Sequence, residues 1–433
     1  MVRMTKRPFP IVEVKLEKIV GGGQALGTLE DGRKLFVWGG LPDEEVRVQL
    51  TKKKSSYAEG IVVEVLEASP DRIDPKDPES YLSTSPWQLM SLETEQRYKA
   101  ALIEEAFELH DIVLPDPIDV YSDGVAYGYR NKVEFSFWFE TETQSLSLAF
   151  FRRGTHGKIS IPGTSLASDE INKKGAQVLA VLNEMHVIGR ELKTLLIRSA
   201  QDGSVAWQLY VKDEDFPADT LMSHFDADEN GEVIFSNPKS PASVITRRLT
   251  APTTPLKDVL KEVPFHYATE GFFQINLPVY EQSLSDMSKW VIPGVQVVDM
   301  YSGVGSIGLT IGGDNVTLVE LNEHAVREME RNVKELGKNA TPVLAASENA
   351  LEYITGDKCI IVDPPRAGLH EDVVARLLEQ KPARIIYLSC NPVTQARDVE
   401  RLAEAYGIRA HRGYNYFPHT PHIEHLVILD LKS

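Results

Sequence analysis

Between Ile11 and about Ala68 apolar and polar residues alternate, in IVEVKLEKIV, RKLFVWG, EEVRVQL and AEGIVVEVLEA, with Gly21-Gly22-Gly23 and Asp31-Gly32 between the runs. A period of two sends one set of side chains inward and marks short strands, and the glycines mark their turns. About five such strands in so short a stretch predict a small closed barrel, a form that often cradles single-stranded nucleic acid. The Pro- and Asp-rich SPDRIDPKDPES, residues 69–80, ends this module as a linker. The period then lengthens: SLETEQRYKAALIEEAFELH repeats apolar positions every three to four residues and predicts a helix, with Ser91 as its N-cap. From Tyr127 to about His266 the pattern is mixed, with a strand YRNKVEFSFWFE, a turn-rich FRRGTHGK, a helix over Asp169–Met185 and further strands. From Gln296 the strands VQVVDM, VTLVEL, TPVLAA, KCIIVD and ARIIYLSC alternate with helical stretches such as HAVREMERNVKELG. That alternation predicts a doubly wound parallel sheet, whose chemistry gathers at the carboxyl ends of its strands.

The 433 residues make two or three domains the expectation. No apolar run reaches the eighteen residues that a membrane helix needs, and MVRMTKRPFP leads into polar sequence rather than an apolar leader core. Cys359 and Cys390 are the only cysteines, too few for a disulfide framework, so a cytoplasmic protein is expected. The formal charge of −17 speaks at first against a nucleic-acid partner, but residues 1–60 carry eleven Lys/Arg against eight Asp/Glu. Basic character is therefore concentrated at the front, where it can meet phosphates. Lys53 and Tyr57, in TKKKSSY, are either an RNA contact or part of a solvated lysine hairpin. Arg130, Lys132, Arg152, Arg153 and Lys158 lie among aromatics, either as a phosphate-and-stacking surface or as the wet face of an amphipathic strand pair.

Gly303, Gly305 and Gly308 in DMYSGVGSIG form a GxGxxG after a strand, preceded by Asp299. A carboxylate there would repel a pyrophosphate and suits the cationic ammonium and sulfonium of S-adenosylmethionine, which favours that group over a nicotinamide dinucleotide. Glu320 ends the next strand, positioned for ribose hydroxyls in either cofactor. Asp363, held by two prolines in IIVDPPRAGL, points a carboxylate at the cleft, and Cys390 in LSCNP stands at the same rim. Three histidines and Glu424 fall within FPHTPHIEHLV, but on a strand His422 and Glu424 share one face while His425 takes the other, which breaks a zinc ligand set, so no metal is expected. These residues suit one reaction: a Cys390 thiolate adds to C6 of a pyrimidine, C5 becomes nucleophilic enough to take a methyl group, and Glu424 removes the C5 proton before the thiolate leaves. Such chemistry calls for neighbours that lower the Cys390 pKa and for a target base that leaves its stack.

The stretches FFQIN, DMYSGVGSIGL, VELNEHAV, SENAL, DPPRAGL, YLSCNPVTQARD and FPHTPHIEHLV, in this order, resemble the RNA uracil-5-methyltransferases that form 5-methyluridine, and the N-terminal barrel resembles their TRAM domain. The resemblance implies Cys390 as nucleophile, Glu424 as base, and Gln274, Tyr301, Glu320, Asn349 and Asp363 around S-adenosylmethionine. The implied architecture is α/β: a TRAM/OB-like barrel over 1–69, a central α+β RNA-binding domain over 70–91 and 124–269, and a Rossmann-like methyltransferase domain over 92–123 and 270–433. Ser306 stands where some members have Asn. Many barrel-bearing members hold a four-iron cluster on four cysteines, whereas DPESYLSTSPWQ and SIPGTSLA contain none, so no iron–sulfur cluster is expected and packing around Trp87 takes its structural place. A monomer acting on RNA is implied, 23S ribosomal RNA first and the transfer-RNA T-loop second. Cytosine methylation, a non-catalytic RNA-binding protein of the same fold and a nicotinamide oxidoreductase are the competing readings.

Overall fold

In the computed structural model, which describes residues 9–155 and 157–432, the first alternating stretch folds into the strands Ile11–Ile19, Ala25–Thr28, Lys34–Trp38, Glu45–Lys53 and Tyr57–Glu67. They close into a barrel, as the alternation predicts. Every second side chain, among them Leu16, Leu35, Val37, Val46, Val48 and Ala58, is buried inside it. Gly60 permits the closure, because a Cβ there would stand 2.3 Å from Val48 Cγ1. The basic start, residues 1–8, where no leader is expected, lies outside the described residues.

A seven-stranded sheet follows, built on Lys132–Glu140, Ser145–Phe151, Leu192–Ser199 and Val205–Val211 at its centre. Helix Asp169–Glu184 packs on one face, its start capped by Ser168, whose hydroxyl accepts from Ile171 N. The hairpin Leu256–Leu260 and Val263–Tyr267 leaves this sheet, and its inward residues Leu256, Leu260, Phe265 and Tyr267 join the core of the next unit.

The strands expected after Gln296 form the parallel part of an eight-stranded sheet, in the spatial order Asn339–Leu344, Asn315–Glu320, Val297–Met300, Cys359–Val362, Arg384–Ser389. Chain order reverses between Val297–Met300 and Cys359–Val362, and a crevice opens beyond their carboxyl ends. Glu424–Leu431 then adds antiparallel to Arg384–Ser389, followed by Tyr406–Tyr414 and the short Val120–Tyr121. Helix Leu92–Glu108 packs against Pro392–Leu402 beside this sheet, although it precedes the central sheet in the chain. Ser91 caps it by accepting from Thr94 N, as read from the sequence. No helix among the described residues is long and apolar enough to cross a membrane.

Candidate active site

The crevice is a cavity of about 1400 Å³ whose wall includes Gln274, Tyr301, Glu320, Asp363, Cys390 and Glu424. The glycine loop forms one end. Ser302 Oγ donates to the carbonyls of Asp299 (2.6 Å) and Val319 (3.2 Å), tying the loop to the neighbouring strand. Tyr301, Gly303 and Gly305 take left-handed backbone angles, φ 66°, 57° and 86°. For Tyr301 that conformation is strained, and its hydroxyl is fixed by the Ser347 hydroxyl at 2.8 Å. Glu320 accepts from the backbone N–H of Gly303 (2.9 Å) and Asn322 (2.7 Å), which pins the carboxylate at its strand end.

Asp299 has a different place from the one expected. It is fully buried, is not part of the cavity wall, and accepts from Gly308 N at 2.8 Å while its second oxygen has no partner. Burial pushes its carboxyl up to about 8. It therefore shapes the loop from beneath instead of facing a cationic ligand. Asn349 also departs from expectation: it is exposed on the turn Ser347–Asn349 and outside the wall, where Ala345, Ala346, Ser347 and Glu348 stand instead.

At the other end Cys390 follows strand Arg384–Ser389 directly, half-buried, just before helix Pro392–Leu402. Asn391 caps that helix, accepting from Val393 N at 3.2 Å and donating Nδ2 to the Arg366 carbonyl at 2.9 Å. The expected lowering of the thiol pKa is not found. Burial, then the carboxylates Glu424 and Asp363, push Cys390 up to about 11, with Arg366 opposing. Asp363 opens to the cavity but is walled off from bulk water, and this pushes it up to about 7. Burial first and Asp363 second raise Glu424 well above the usual carboxylate range, against Arg366 and Lys99. Burial thus pushes both carboxyls and the thiol towards their neutral forms, with Arg366 opposing at Cys390 and Glu424.

Strand Glu424–Leu431 begins at Glu424, so His422 precedes it instead of sharing its face, yet both line the cavity. His422 is pulled down to about 4 by desolvation and then by Arg366, and its Nδ1 lies 3.0 Å from Arg366 Nη2 as the acceptor. His425 turns the other way, edge-on to Phe107 and 2.7 Å from Gln395 Oε1 through Nδ1. Among the described residues no group of three or more His, Cys, Asp or Glu could hold a metal ion. Arg366 is the cation that sequence reasoning passed over; its signal was its position beside Asp363 in DPPRAGL.

The basic residues separate. Arg130 lines the cavity. Lys132 does not: half-buried, it donates to the carbonyls of Glu270 (3.0 Å) and Gly271 (3.2 Å), and burial, then Arg198, push it down to about 7. Three-dimensional packing has converted an expected RNA contact into a brace for the segment that carries Gln274. Arg153 stacks 4.0 Å over Trp38 of the barrel and donates to the Leu82 carbonyl, while Arg152 stays exposed. Lys53 is exposed, and Tyr57 packs edge-on against Phe36 with Lys52 5.2 Å from its ring.

The cradle fits an adenosyl group. A Cβ on Gly303 would meet no atom within 4 Å, so the loop keeps free space above it, and Leu321 beside Glu320 lines the cavity while 68% exposed. Residues 347–432 match the family model described as tRNA (Uracil-5-)-methyltransferase, and residues 6–63 match the TRAM domain. An uncharacterized RNA methyltransferase of Fusobacterium nucleatum is 28% identical, covering 98% of this chain and 96% of that protein. One of Thermotoga maritima is 29% identical, covering 96% and 98%. The solved Pyrococcus abyssi tRNA (uracil-54, C5)-methyltransferase, in complex with S-adenosyl-L-homocysteine, superposes with a TM-score of 0.78 at 23% identity, covering 96% of this chain and all of that one. The fold is that of this methyltransferase structure. The chain is similar to RNA methyltransferases over nearly its whole length, to the tRNA (Uracil-5-)-methyltransferase model over its last part and to the TRAM domain at its start.

Proposed function

We propose that this enzyme forms 5-methyluridine in a structured RNA, with Cys390 as nucleophile and Glu424 as proton acceptor. The observation that carries the reading is the presence of both groups, with Asp363 and Arg366, on the wall of one cavity. Gln274, Tyr301, Glu320 and Asp363 would hold S-adenosylmethionine, which when bound supplies an electrophilic methyl group. Cys390 adds to C6 of the flipped uracil, and the C5=C6 electron pair moves onto C5 and the adjoining carbonyl. Once methylated, C5 still carries its proton. Glu424 takes that proton, the C5–H pair restores the C5=C6 bond, and the sulfur–C6 bond breaks to return the thiolate. Arg366 opposes the negative charge of Glu424 and Asp363 at the thiol, which supports a role in ionising Cys390 as the site fills.

Arg130 at the cavity and Lys53 and Tyr57 on the barrel are the proposed RNA contacts, the last two in a sequence-tolerant mode. The proposed partition is 1–69, then 70–91 with 124–269, then 92–123 with 270–433. A monomer in the cytoplasm, with no iron–sulfur cluster, completes the reading. Ribosomal RNA is the first substrate class, on the strength of the barrel. A transfer RNA is favoured by a specific observation: the likeness to the Pyrococcus enzyme leaves too little of this chain uncovered to omit the barrel, so the barrel accompanies an enzyme named for tRNA. Mapping 5-methyluridine in the RNA of a strain deleted for this gene tests the proposal. Loss of the modification at one or more uridines supports it and names the RNA; an unchanged map contradicts it.

A further inference from the structure

The loop that leads into Glu424 is gripped by a helix from far earlier in the chain. Helix Leu92–Glu108 offers Glu95 and Lys99, both 0% exposed, as a pair 2.7 Å apart. Lys99 Nζ donates to Asn415 Oδ1 at 2.6 Å and to the Phe417 carbonyl at 3.2 Å. Glu95 accepts Asn415 Nδ2 at 3.0 Å on one oxygen and the His419 backbone N–H at 2.7 Å on the other. His419 takes φ 61°, its carbonyl accepts from Trp87 N at 3.1 Å, and its ring lies 4.5 Å from that of Tyr127. Trp87 in turn donates its indole N–H to the Gly23 carbonyl of the barrel at 2.9 Å, with Lys99 5.9 Å from its ring.

Residues 415–423 have no helix or strand, so no ladder fixes them. These contacts hold their shape, together with bonds from Asn415 N to the Tyr121 carbonyl (2.8 Å), from the Tyr129 hydroxyl to the Pro418 carbonyl (3.0 Å) and between the Tyr416 and Ser283 hydroxyls (2.5 Å). The same stretch supplies Phe417, Thr420 and His422 to the cavity wall and ends at Glu424. A buried ion pair is a poor way to gain stability, because desolvating two charges offsets most of their attraction. What it offers here is direction: two side chains fix three residues of an irregular loop through charge-assisted bonds, which are shorter and stronger than neutral ones.

We infer that Glu95 and Lys99 are positioning residues, which hold the 415–423 loop so that Glu424 meets the C5 proton of the substrate base. This rests on the role proposed for Glu424 above. Neither residue touches the reacting atoms. Thiolate addition and methyl transfer do not need Glu424, whereas removal of the C5 proton does. A loosened loop therefore stalls the enzyme after methylation, with the sulfur–C6 bond intact.

The test uses the full-length protein, a uridine-containing transcript that the wild type methylates, and S-adenosylmethionine labelled in its methyl group. In the double variant Glu95→Leu with Lys99→Met, apolar side chains replace the pair, a change that proteins commonly tolerate. The expected result is a kcat lowered about 10- to 100-fold, a KM within about threefold of wild type, and a labelled protein–RNA adduct that survives denaturing electrophoresis, as with Glu424→Gln. Should the double variant fail to fold, Asn415→Ala leaves the pair intact, cuts the tether and is expected to give the same adduct. Wild-type turnover in the folded variant, or a lower kcat without adduct, overturns the inference while leaving Glu424 as base. A wild type that forms no 5-methyluridine on any RNA overturns the proposed function itself.

Discussion

Ser389 pairs with His425 in the antiparallel ladder between Arg384–Ser389 and Glu424–Leu431. One step further along each strand, that register sets Cys390 opposite Glu424 at the same rim. A nucleophile and a base distant in the chain thus meet through strand pairing, with the loop that leads into Glu424 held by Glu95 and Lys99. The antiparallel strand is what makes the meeting possible, since of the nucleophile and the base the parallel strands by themselves would present only Cys390.

With Cys390 at about 11, little thiolate exists at neutral pH in the free enzyme. Alkylation of Cys390 by iodoacetamide should therefore rise roughly tenfold per pH unit between about pH 7 and 9, in step with the thiolate fraction. Asp363→Asn removes one of the charges that raise the thiol, so alkylation at fixed pH should be faster; Arg366→Gln removes the opposing cation and should slow it. Mass-spectrometric alkylation rates check the order Asp363→Asn, wild type, Arg366→Gln.

Asp299 carries a pH signature in stability. Its folded value, about 8, lies above the ordinary carboxylate value, so the folded state holds a proton that the unfolded state releases at intermediate pH. Stability from this group is complete below about pH 4 and is lost as the pH rises towards 8. Asp299→Asn keeps an acceptor for Gly308 N without the titration. Urea midpoints of variant and wild type should converge near pH 4 and separate in favour of the variant at pH 8.5.

Gly308 is packed against what lies beneath the loop. A Cβ there would stand 2.4 Å from Leu318 Cδ2 and 2.9 Å from Asp299 Oδ2. Gly308→Ala should cost about 1–3 kcal/mol of stability by overpacking and weaken S-adenosylmethionine binding at least tenfold as the loop shifts. Denaturation and calorimetry on one preparation measure both.

On the barrel, Lys53→Glu should weaken RNA binding and flatten its salt dependence by about one unit of slope, with S-adenosylmethionine binding unchanged. Unaltered affinity across a salt titration would remove the barrel's basic edge from the RNA-binding surface.

Much of this was legible in the chain, for physical reasons that vary by element. The barrel followed from a period of two, because each strand has one wet and one dry face. The sheet followed from apolar runs that end in chemistry-bearing residues, and Cys390 and Asp363 could be placed because strand ends face the crevice. What escaped depended on partners far away in sequence. Glu95 and Lys99, four apart on a helix, carry no signal in the sequence that sets them apart from an ordinary helix pair; only the fold brings Asn415 and His419 around them. Lys132 read as a phosphate contact until the carbonyls of Glu270 and Gly271 took its ammonium. Asp299 read as a ligand because periodicity locates a strand end without saying whether the side chain points up into the cavity or down under the loop. The thiol was expected among groups that lower its pKa, and only the fold brings two carboxyls, with Arg366 opposing them, beside it.

The central claim is covalent catalysis by Cys390, and a substrate that cannot release its C5 substituent tests it most directly. Wild-type enzyme incubated with 5-fluorouridine RNA and S-adenosylmethionine should form a methylated, denaturation-resistant protein–RNA adduct, because Glu424 has no proton to remove. Peptide mapping should locate the nucleotide on Cys390, and Cys390→Ala should form none while still binding both substrates. An adduct that persists in Cys390→Ala, or a wild type that methylates uridine yet never traps on the fluorinated RNA, would contradict the account.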